Sequence, residues 1–158
     1  MKFLADGMLG KLTRWLRLLG QDVAYSTESD DNGLIALAKN ENRILLTRDF
    51  ELYNRSIASG LKTFYLDVED EAEQLAILSK RFAFPLKIDF TALRCSKCNT
   101  ILHSVPKGEV AGKVEKNTLK NYSEFWRCPK CEQIYWQGAH WDRIRATLRA
   151  AEDKLRLC

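Results

Sequence analysis

The sequence predicts an α/β domain with a parallel sheet, followed by a small β-rich unit and a C-terminal helix. In residues 1–88, short apolar runs of strand length alternate with amphipathic stretches of helical spacing. This β-α-β-α order is typical of a parallel sheet with helices on both faces. Two Cys-x-x-Cys pairs follow in the last third of the chain, ahead of a charged tail. We place the boundary so that the two units span 1–88 and 89–158.

The elements of the first unit follow from residue spacing and from stop signals. Residues 2–5 form an apolar strand that ends at Asp6, and leucines at helical spacing predict a helix over 8–19 that Gly20 ends. Further strands are predicted at 22–25, 43–47 and 62–66. The other helices are predicted from a Ser-Asp-Asp cap at 29–31 to about 40, from after Asp49 to about 58, and over 71–82.

The two cysteine pairs, Cys95/Cys98 and Cys128/Cys131, are separated by 29 residues. Four thiolates in this arrangement are the ligand set of a closed, tetrahedral, structural Zn²⁺ site. Two disulfides would suit a small secreted chain, but nothing at the N-terminus resembles a signal peptide. A redox Cys-x-x-Cys is expected once, beside a βαβ unit. We therefore expect a zinc ribbon, and we expect Cys158 on the tail to be a free thiol.

The formal net charge of +4 over 158 residues is unevenly distributed. Residues 1–90 carry 12 Lys/Arg and 14 Asp/Glu, a net charge of −2, whereas 91–158 carry 13 and 7, a net charge of +6. This split fits an acidic catalytic centre beside a polyanion-binding module, although an ordinary asymmetry of solvated faces would look the same. No apolar run approaches the roughly 20 residues that a bilayer span needs. We expect no membrane association and a cytoplasmic location.

Acidic residues follow the ends of the predicted strands. Asp6, Asp49 and Asp67 come after the first, third and fourth strands, while Asp30 and Asp31 begin the second helix. In open α/β sheets the functional crevice lies outside the carboxyl ends of the strands. Carboxylates gathered there would repel one another unless a cation compensates them, and oxygen ligands suit Mg²⁺ or Mn²⁺. Taken singly, each aspartate can also be explained as a helix cap or a turn residue.

Several runs of residues together resemble one known family. The runs are Phe3-Leu4-Ala5-Asp6-Gly7-Met8-Leu9-Gly10-Lys11-Leu12, Arg14-Trp15-Leu16-Arg17, Arg43-Ile44-Leu45-Leu46-Thr47-Arg48-Asp49, Arg94-Cys95-x-x-Cys98-Asn99, Phe125-Trp126-Arg127-Cys128-Pro129-x-Cys131 and Tyr135-Trp136-x-Gly138-x-His140-Trp141. In combination they closely resemble the PIN-like ribonuclease family of the Mut-seven C-terminal RNase type, from about residue 2 to residue 145. The resemblance implies a PIN-like three-layer domain followed by a zinc ribbon, and a divalent-metal-dependent ribonuclease.

The resemblance also implies which residues form the catalytic site. It assigns the acidic residues that hold Mg²⁺ or Mn²⁺ to Asp6, Asp31 and Asp49, and Thr47 matches a threonine that PIN domains place beside the site. PIN domains often carry a glutamate on the second helix. The best candidate for that position here is Asp31, and the adjacent Asp30 is the alternative.

A further acidic metal ligand is expected after the fourth strand. Asp67 is the natural candidate, and Glu69 and Asp70 are alternatives at the same place.

Basic and aromatic residues are candidates for contacts with RNA. Lys11, Arg14 and Arg17 fall on one side of the first helix and either hold phosphates or form a solvated face. Arg48, beside Asp49, could orient a phosphate.

Aromatic residues near the second cysteine pair divide into two groups. His140 and Trp141, together with Trp136, could stack on unpaired bases. Trp126 and Tyr135 are expected in the core of the ribbon. The stretch 107–120, with its lysines, is expected to be an exposed basic hairpin or loop.

Two classes of function remain. The first is a metal-dependent ribonuclease whose ribbon assists the binding of single-stranded RNA. The second is a non-cleaving RNA- or ribosome-binding adaptor on a PIN-like scaffold, with a possible protein partner, because a fold does not guarantee an activity. A phosphatase of the haloacid-dehalogenase type would need a second aspartate two residues after Asp6, where this chain has Met8. The acidic set favours the enzyme.

Overall fold

The computed structural model describes residues 1–157, which form two sheets. The larger sheet has four parallel strands in the order β2-β1-β3-β4. The strands are β1 (Lys2–Ala5), β2 (Asp22–Tyr25), β3 (Ile44–Thr47) and β4 (Thr63–Tyr65). All four predicted strands are confirmed, with ends that shift by at most one residue. Cys158, predicted to be a free thiol, lies outside the described residues.

Four helices connect and cover this sheet. They are α1 (Gly10–Leu18), α2 (Asp31–Glu41), α3 (Phe50–Ala58) and α4 (Glu71–Phe82). The first helix is shorter than predicted because Gly7–Leu9 form a separate 3₁₀ turn. Aspartate side chains cap that turn and the helices α2, α3 and α4 by accepting N–H groups that the first turn of each leaves unpaired. These caps are Asp6, Asp30, Asp49 and Asp70.

The central strands are buried on both faces. Phe3 and Ala5 of β1 and Leu46 of β3 pack in one core with α1 and α4. Their neighbours Leu4 and Leu45 pack in a second core with α2 and α3 on the opposite face. Because successive side chains of a strand point to opposite faces, these apolar runs supply both cores at once. The sheet is therefore the middle of three layers, as the sequence predicts.

The second unit contains the smaller sheet. Strands β5 (His103–Val105), β6 (Phe125–Arg127) and β7 (Ile134–Tyr135) are antiparallel, in the order β5-β6-β7. The predicted positions of Trp126 and Tyr135 in the ribbon core are confirmed, since both pack with Cys95 and Cys128.

The prediction of a hairpin or loop over 107–120 is wrong. This stretch contains two short helices, α5 (Lys107–Val110) and α6 (Lys116–Asn121). Val110 is fully buried against Phe125 and Ile134, and this apolar contact holds the stretch on the small sheet. Its lysines are exposed, as expected.

The C-terminal helix α7 (Trp141–Leu157) packs against α4 of the first unit. Its buried residues, Leu148 and Ala151, belong to the same core as Phe3 and Leu75. The division into 1–88 and 89–158 stays a prediction, and this packing means that the second unit contributes a helix to the core of the first.

The ribbon also covers the edge strand of the parallel sheet. The amide oxygen of Asn99, directly after Cys98, accepts the backbone N–H of Val23 at 3.0 Å, and its amide nitrogen donates to Asp22 at 2.7 Å. Arg43 donates to the same Asp22 carboxylate at 2.8 Å, and these hydrogen bonds outweigh the opposing effect of burial and lower the pKa of Asp22. An otherwise open sheet edge is thereby paired. Within residues 1–157, no helix is long and apolar enough to cross a membrane.

Candidate functional site

The order in which strands are added to the sheet reverses between β1 and β3. The chain first adds β2 on one side of β1 and then places β3 on its other side. Crevices in open α/β sheets form at such switch points, outside the carboxyl ends of the strands. Asp6 directly follows β1, and Asp49 comes two residues after the end of β3. Two of the predicted catalytic residues therefore stand at the position where this architecture forms a site.

Asp6 is a buried carboxylate, with 4 % of its surface exposed. One oxygen accepts the Met8 N–H at 2.8 Å, and the other accepts the hydroxyl of Thr47. Across residues 1–157, no Lys, Arg or His forms an ion pair with it. A buried charge is costly unless it is paired or coordinates a metal, so Asp6 is suited to a cation.

Thr47 links Asp6 to Asp49. Its side-chain oxygen accepts the backbone N–H of Asp49 at 2.9 Å while its hydroxyl hydrogen goes to Asp6. Asp49 in turn caps α3, with Oδ1 accepting the N–H groups of Glu51 at 2.9 Å and Leu52 at 3.2 Å. Both carboxylates are thus held by hydrogen bonds, and the capping role of Asp49 is compatible with a second role for its other oxygen.

Asp31 and Asp30 lie at the start of α2 with different partners. Oδ2 of Asp31 accepts Arg55 Nη1 of α3 at 3.0 Å, in a half-exposed ion pair. Asp30 is the cap of α2 and accepts the Gly33 N–H at 2.8 Å. The ion pair engages only Oδ2 of Asp31, so its other oxygen is compatible with a second role, as at Asp49.

The three acidic candidates after β4 also differ. Asp67 is exposed and accepts the Tyr65 hydroxyl at 3.4 Å. Glu69 pairs with Arg48 at 3.0 Å, and Asp70 caps α4 through the Glu73 N–H at 2.8 Å. Among residues 1–157, the structure does not bring three of these carboxylates together as a ready-made metal cluster.

The four ribbon cysteines do form such a cluster. All four Sγ atoms lie within 4.8 Å of one another. The shortest separations are 3.3 Å between Cys98 and Cys128 and 3.4 Å between Cys95 and Cys131. Tetrahedral Zn²⁺ with bonds of about 2.3 Å needs sulfur–sulfur distances of about 3.8 Å, whereas a disulfide needs about 2.05 Å. The group can hold a metal such as zinc, and none of the four sulfurs is in a disulfide.

The chemistry of the thiols also fits a cation at their centre. Burial raises the pKa of Cys98, but hydrogen bonds from Thr100 and neighbouring sulfurs outweigh it and bring the pKa to about 6. The Gln133 N–H lowers the pKa of Cys131, yet burial and the sulfurs of Cys95 and Cys128 raise it to about 12. The neighbouring sulfurs thus favour the thiolate of Cys98 and oppose that of Cys131, whereas a divalent cation at the centre favours all four thiolates.

The turns of the two cysteine pairs are alike. Asn99 and Glu132, which follow the second cysteine of each pair, have φ values of 70° and 63°. The N–H of Cys131, the residue before Glu132, points to Cys128 Sγ at 3.4 Å, as expected for the tight turn of a zinc knuckle.

Comparison with family models gives one match, the Mut7-C RNAse domain, over residues 1–148. The chain belongs to this family. Comparison with curated proteins gives no match, and comparison with solved structures gives none either. Membership of the Mut7-C RNAse family suggests a ribonuclease-type function with RNA as the substrate.

One predicted RNA contact of this Mut7-C chain is wrong. Arg17 is 5 % exposed, and its guanidinium donates to the carbonyl of Val23 at 2.8 and 3.0 Å and to that of Ser96 at 2.7 Å. Burial lowers the pKa of Arg17, and the nearby sulfurs of Cys95 and Cys98 oppose this effect. The side chain joins the sheet to the ribbon and is not available to phosphates.

Lys11, Arg14 and Arg48 line a cavity of about 370 Å³ together with Gly7, Glu69 and Glu71. Lys11 and Arg14 are exposed, although Lys11 also approaches Glu71 at 3.7 Å. Arg48 donates to Glu69 through Nη2, while its buried Nε has no partner among the described residues. Because this Nε is fully buried, an incoming anion could meet only the partly exposed end of the guanidinium, which already contacts Glu69.

His140 and Trp141 stand where the ribbon meets α7. His140 is exposed and lines a second cavity of about 390 Å³, together with Lys11, Arg14 and Arg143. Trp141 is partly buried, because its ring stacks on Phe90 at 5.6 Å and its indole N–H donates to the Trp136 carbonyl at 3.2 Å. Phe90 stacks on Trp126 at 5.5 Å. Trp141 therefore has a structural role, and one face of its ring is occupied.

Sequence reasoning did not identify Glu71 and Arg143 as neighbours of this surface. Glu71 accepts the Trp15 indole N–H at 2.7 Å, and Arg143 lines the second cavity. These contacts join residues more than 50 positions apart, and no local pattern in the sequence signals them.

Proposed function

We propose that this chain is a Mg²⁺- or Mn²⁺-dependent ribonuclease of PIN-like architecture that hydrolyses phosphodiester bonds of single-stranded RNA beside Asp6 and Asp49. The observation that carries the proposal is the position of Asp6 and Asp49 at the switch point of the sheet, where Thr47 hydrogen-bonds the Asp6 carboxylate and the Asp49 backbone N–H. Family membership supports the substrate class. A structural Zn²⁺ held by the four cysteines is part of the proposal.

Asp6 and Asp49 would hold the catalytic ion, because their hard oxygen donors are those that Mg²⁺ and Mn²⁺ prefer. The ion supplies the positive charge that buried Asp6 lacks within residues 1–157, and when bound it lowers the pKa of a water molecule. Asp31 and Asp67 are the candidates for additional ligands. Of these, Asp67 is the more exposed, whereas Asp31 is paired with Arg55.

Other residues at the carboxyl edge of the sheet would orient the two carboxylates and the phosphate. Thr47 fixes the orientation of Asp6, and the α3 cap fixes that of Asp49. The partly exposed end of the Arg48 guanidinium would donate to an oxygen of the phosphate that is cut, in place of Glu69. Holding the phosphate and the acidic pair in one geometry lowers the entropic part of the barrier.

The RNA strand would continue from this edge toward the ribbon. The two cavities share Lys11, Arg14 and Glu71, so basic side chains, interrupted by Glu69 and Glu71, extend from Arg48 to His140 and Arg143. Phosphate contacts of this kind give affinity that is independent of sequence and falls with added salt. The net charge of +6 over residues 91–158 agrees with an RNA strand that extends from the sheet edge toward the ribbon.

The experiment is a cleavage assay on mixed cellular RNA with Mg²⁺, Mn²⁺ or EDTA. We expect cutting only with a divalent ion, and products with 5′-phosphate and 3′-hydroxyl ends. Asp6→Asn and Asp49→Asn should each lower the rate by roughly 100-fold or more, as expected for groups that act on the reacting atoms. Asp153→Asn, an exposed position on α7, is the matched control and should cut normally.

Cleavage that survives EDTA, or that persists in the Asp6→Asn/Asp49→Asn double variant, would contradict the mechanism. RNA binding without cutting in either metal would instead favour the non-catalytic adaptor.

A further inference from the structure

Three aromatic side chains form a cluster at the carboxyl edge of the sheet, on the side of Asp49 away from Asp6. Phe50 follows Asp49 as the first residue of α3, and Tyr53 comes one turn later. Tyr65 is the last residue of β4 and pairs with Thr47 of β3. The fold therefore places this cluster next to the carboxylate pair.

The three rings hold one another in place. The Phe50 ring meets Tyr65 edge to face, with centroids 5.5 Å apart and planes at 68°. It lies nearly parallel to Tyr53 at 6.1 Å and 26°, and Tyr53 and Tyr65 are 5.8 Å apart. Aromatic pairs at these separations and angles are attractive. The position of the Phe50 ring is thus set before any ligand arrives.

Phe50 nevertheless remains 59 % exposed. A single exposed apolar residue is ordinary on a protein surface. Here, however, the exposed ring is supported by two others and is adjacent to Asp49. A rigid ring loses little conformational freedom when a flat partner stacks on it, which favours binding.

The charges around the cluster restrict what that partner can be. Asp49 precedes Phe50 in the chain, and the exposed Asp67 accepts the Tyr65 hydroxyl at 3.4 Å. These carboxylates disfavour a phosphate at the rings, whereas Lys11, Arg14 and Arg48 bring positive charge to the cavity lined by Gly7, which Glu69 and Glu71 also line. The aromatic side thus suits a flat, uncharged group, and the basic side suits the backbone of the same strand.

We propose that Phe50, backed by Tyr53 and Tyr65, is the stacking platform for an unpaired nucleobase next to the phosphodiester that is cut. This inference rests on the proposed ribonuclease function and adds a residue that positions the substrate. A base inside a duplex is already stacked on its neighbours, so the platform selects single-stranded RNA.

The test uses the full-length chain and a set of RNA 12-mers that carry one abasic nucleotide at successive positions. Cleavage rates and binding affinities are measured for the wild type and for Phe50→Ala, Phe50→Trp and Ile57→Ala. Ile57, 46 % exposed and two turns further along α3, is the matched control. Melting curves check that every variant is folded, and Phe50→Leu replaces Phe50→Ala if the latter does not fold.

In the wild type, an abasic nucleotide at one position beside the cut should lower kcat/KM roughly 5- to 100-fold, the range of one base–aromatic stack. Phe50→Ala should lower kcat/KM on intact RNA by a similar factor and be insensitive to the abasic position. Phe50→Trp should keep that sensitivity, and Ile57→Ala should behave as wild type. An equal abasic penalty in the wild type and Phe50→Ala would overturn the platform.

The platform and the nuclease proposal fail separately. If the wild type cuts RNA but Phe50→Ala shows the full abasic penalty, the platform is wrong and the nuclease stands. If nothing is cut in Mg²⁺ or Mn²⁺, the affinity for RNA measured in EDTA decides. An affinity that depends on both Phe50 and the abasic position supports the platform. An affinity that depends on neither contradicts it.

Discussion

Thr47 hydrogen-bonds the Asp6 carboxylate and the backbone of Asp49. Its hydroxyl donates to Asp6 and accepts from the Asp49 N–H, and the residue is fully buried. Thr63 on the neighbouring strand provides a contrast, since its buried hydroxyl has no partner among the described residues. The two threonines are matched in size and secondary structure but differ in hydrogen bonding.

We predict opposite effects of the same substitution at these two positions. Thr47→Val should lower the free energy of unfolding by about 1–3 kcal/mol, because a hydrogen bond to a buried charge is lost. Thr63→Val should be neutral or stabilising by up to about 1 kcal/mol, because it removes an unsatisfied polar group. Urea unfolding of both variants without added divalent metal measures the difference. Equal losses would mean that the Thr47 contact with Asp6 contributes nothing.

At the scale of elements, α7 completes a core that begins at residue 3. It packs along α4, and Ala151 is fully buried beside residues of that helix. The neighbouring Ala150 is exposed. One position therefore belongs to the interior, and the next faces solvent on the same turn.

We predict that Ala151→Asp strongly destabilises the protein, whereas Ala150→Asp does not. A carboxylate at position 151 would be buried without a partner, at a cost of several kcal/mol (on the order of 3). At position 150 the effect should be within about 0.5 kcal/mol. Thermal unfolding followed by circular dichroism compares the two. Similar melting temperatures would show that α7 detaches from α4 in solution.

The whole molecule is joined through the first cysteine pair. Arg17 connects α1 to the Ser96 carbonyl and to β2, and Asn99 connects the end of the knuckle to the edge of β2. Loss of the metal would loosen the segment 95–99, and these contacts would be lost with it. Zinc would therefore stabilise the parallel sheet as well as the ribbon.

We predict that the metal-loaded protein contains one Zn²⁺ and that chelation lowers the melting temperature of the entire chain in a single transition. Structural zinc supplies folding free energy of roughly 10 kcal/mol in small domains, and the contacts above transmit part of it. Metal analysis and calorimetry before and after chelation measure this, with Cys98→Ser as the genetic counterpart. A separate ribbon transition, with an unchanged second transition for the rest, would instead show that 1–88 is an independent folding unit.

The sequence by itself determined the elements and their order, because these depend on local signals. Apolar runs and helical spacing predict the four strands and four helices to within a few residues, and the Asp49 cap and the cap within residues 29–31 follow directly from chain position. The cysteine spacing likewise predicts the cluster that the structure shows. Placement of Asp6 and Asp49 at neighbouring strand ends follows from the parallel order.

Only the tertiary structure decided which of the remaining candidate side chains are available. Arg17 shares a helix face with Lys11 and Arg14 in the sequence, yet the ribbon covers it. Asp31 is paired with Arg55, and Trp141 is stacked on Phe90. Each of these outcomes depends on a partner that lies 24 or more residues away in the sequence. Arg17 also has one nearer partner, the carbonyl of Val23. Helical and strand periodicity describe a residue's own element, whereas burial and pairing depend on which other element packs against it.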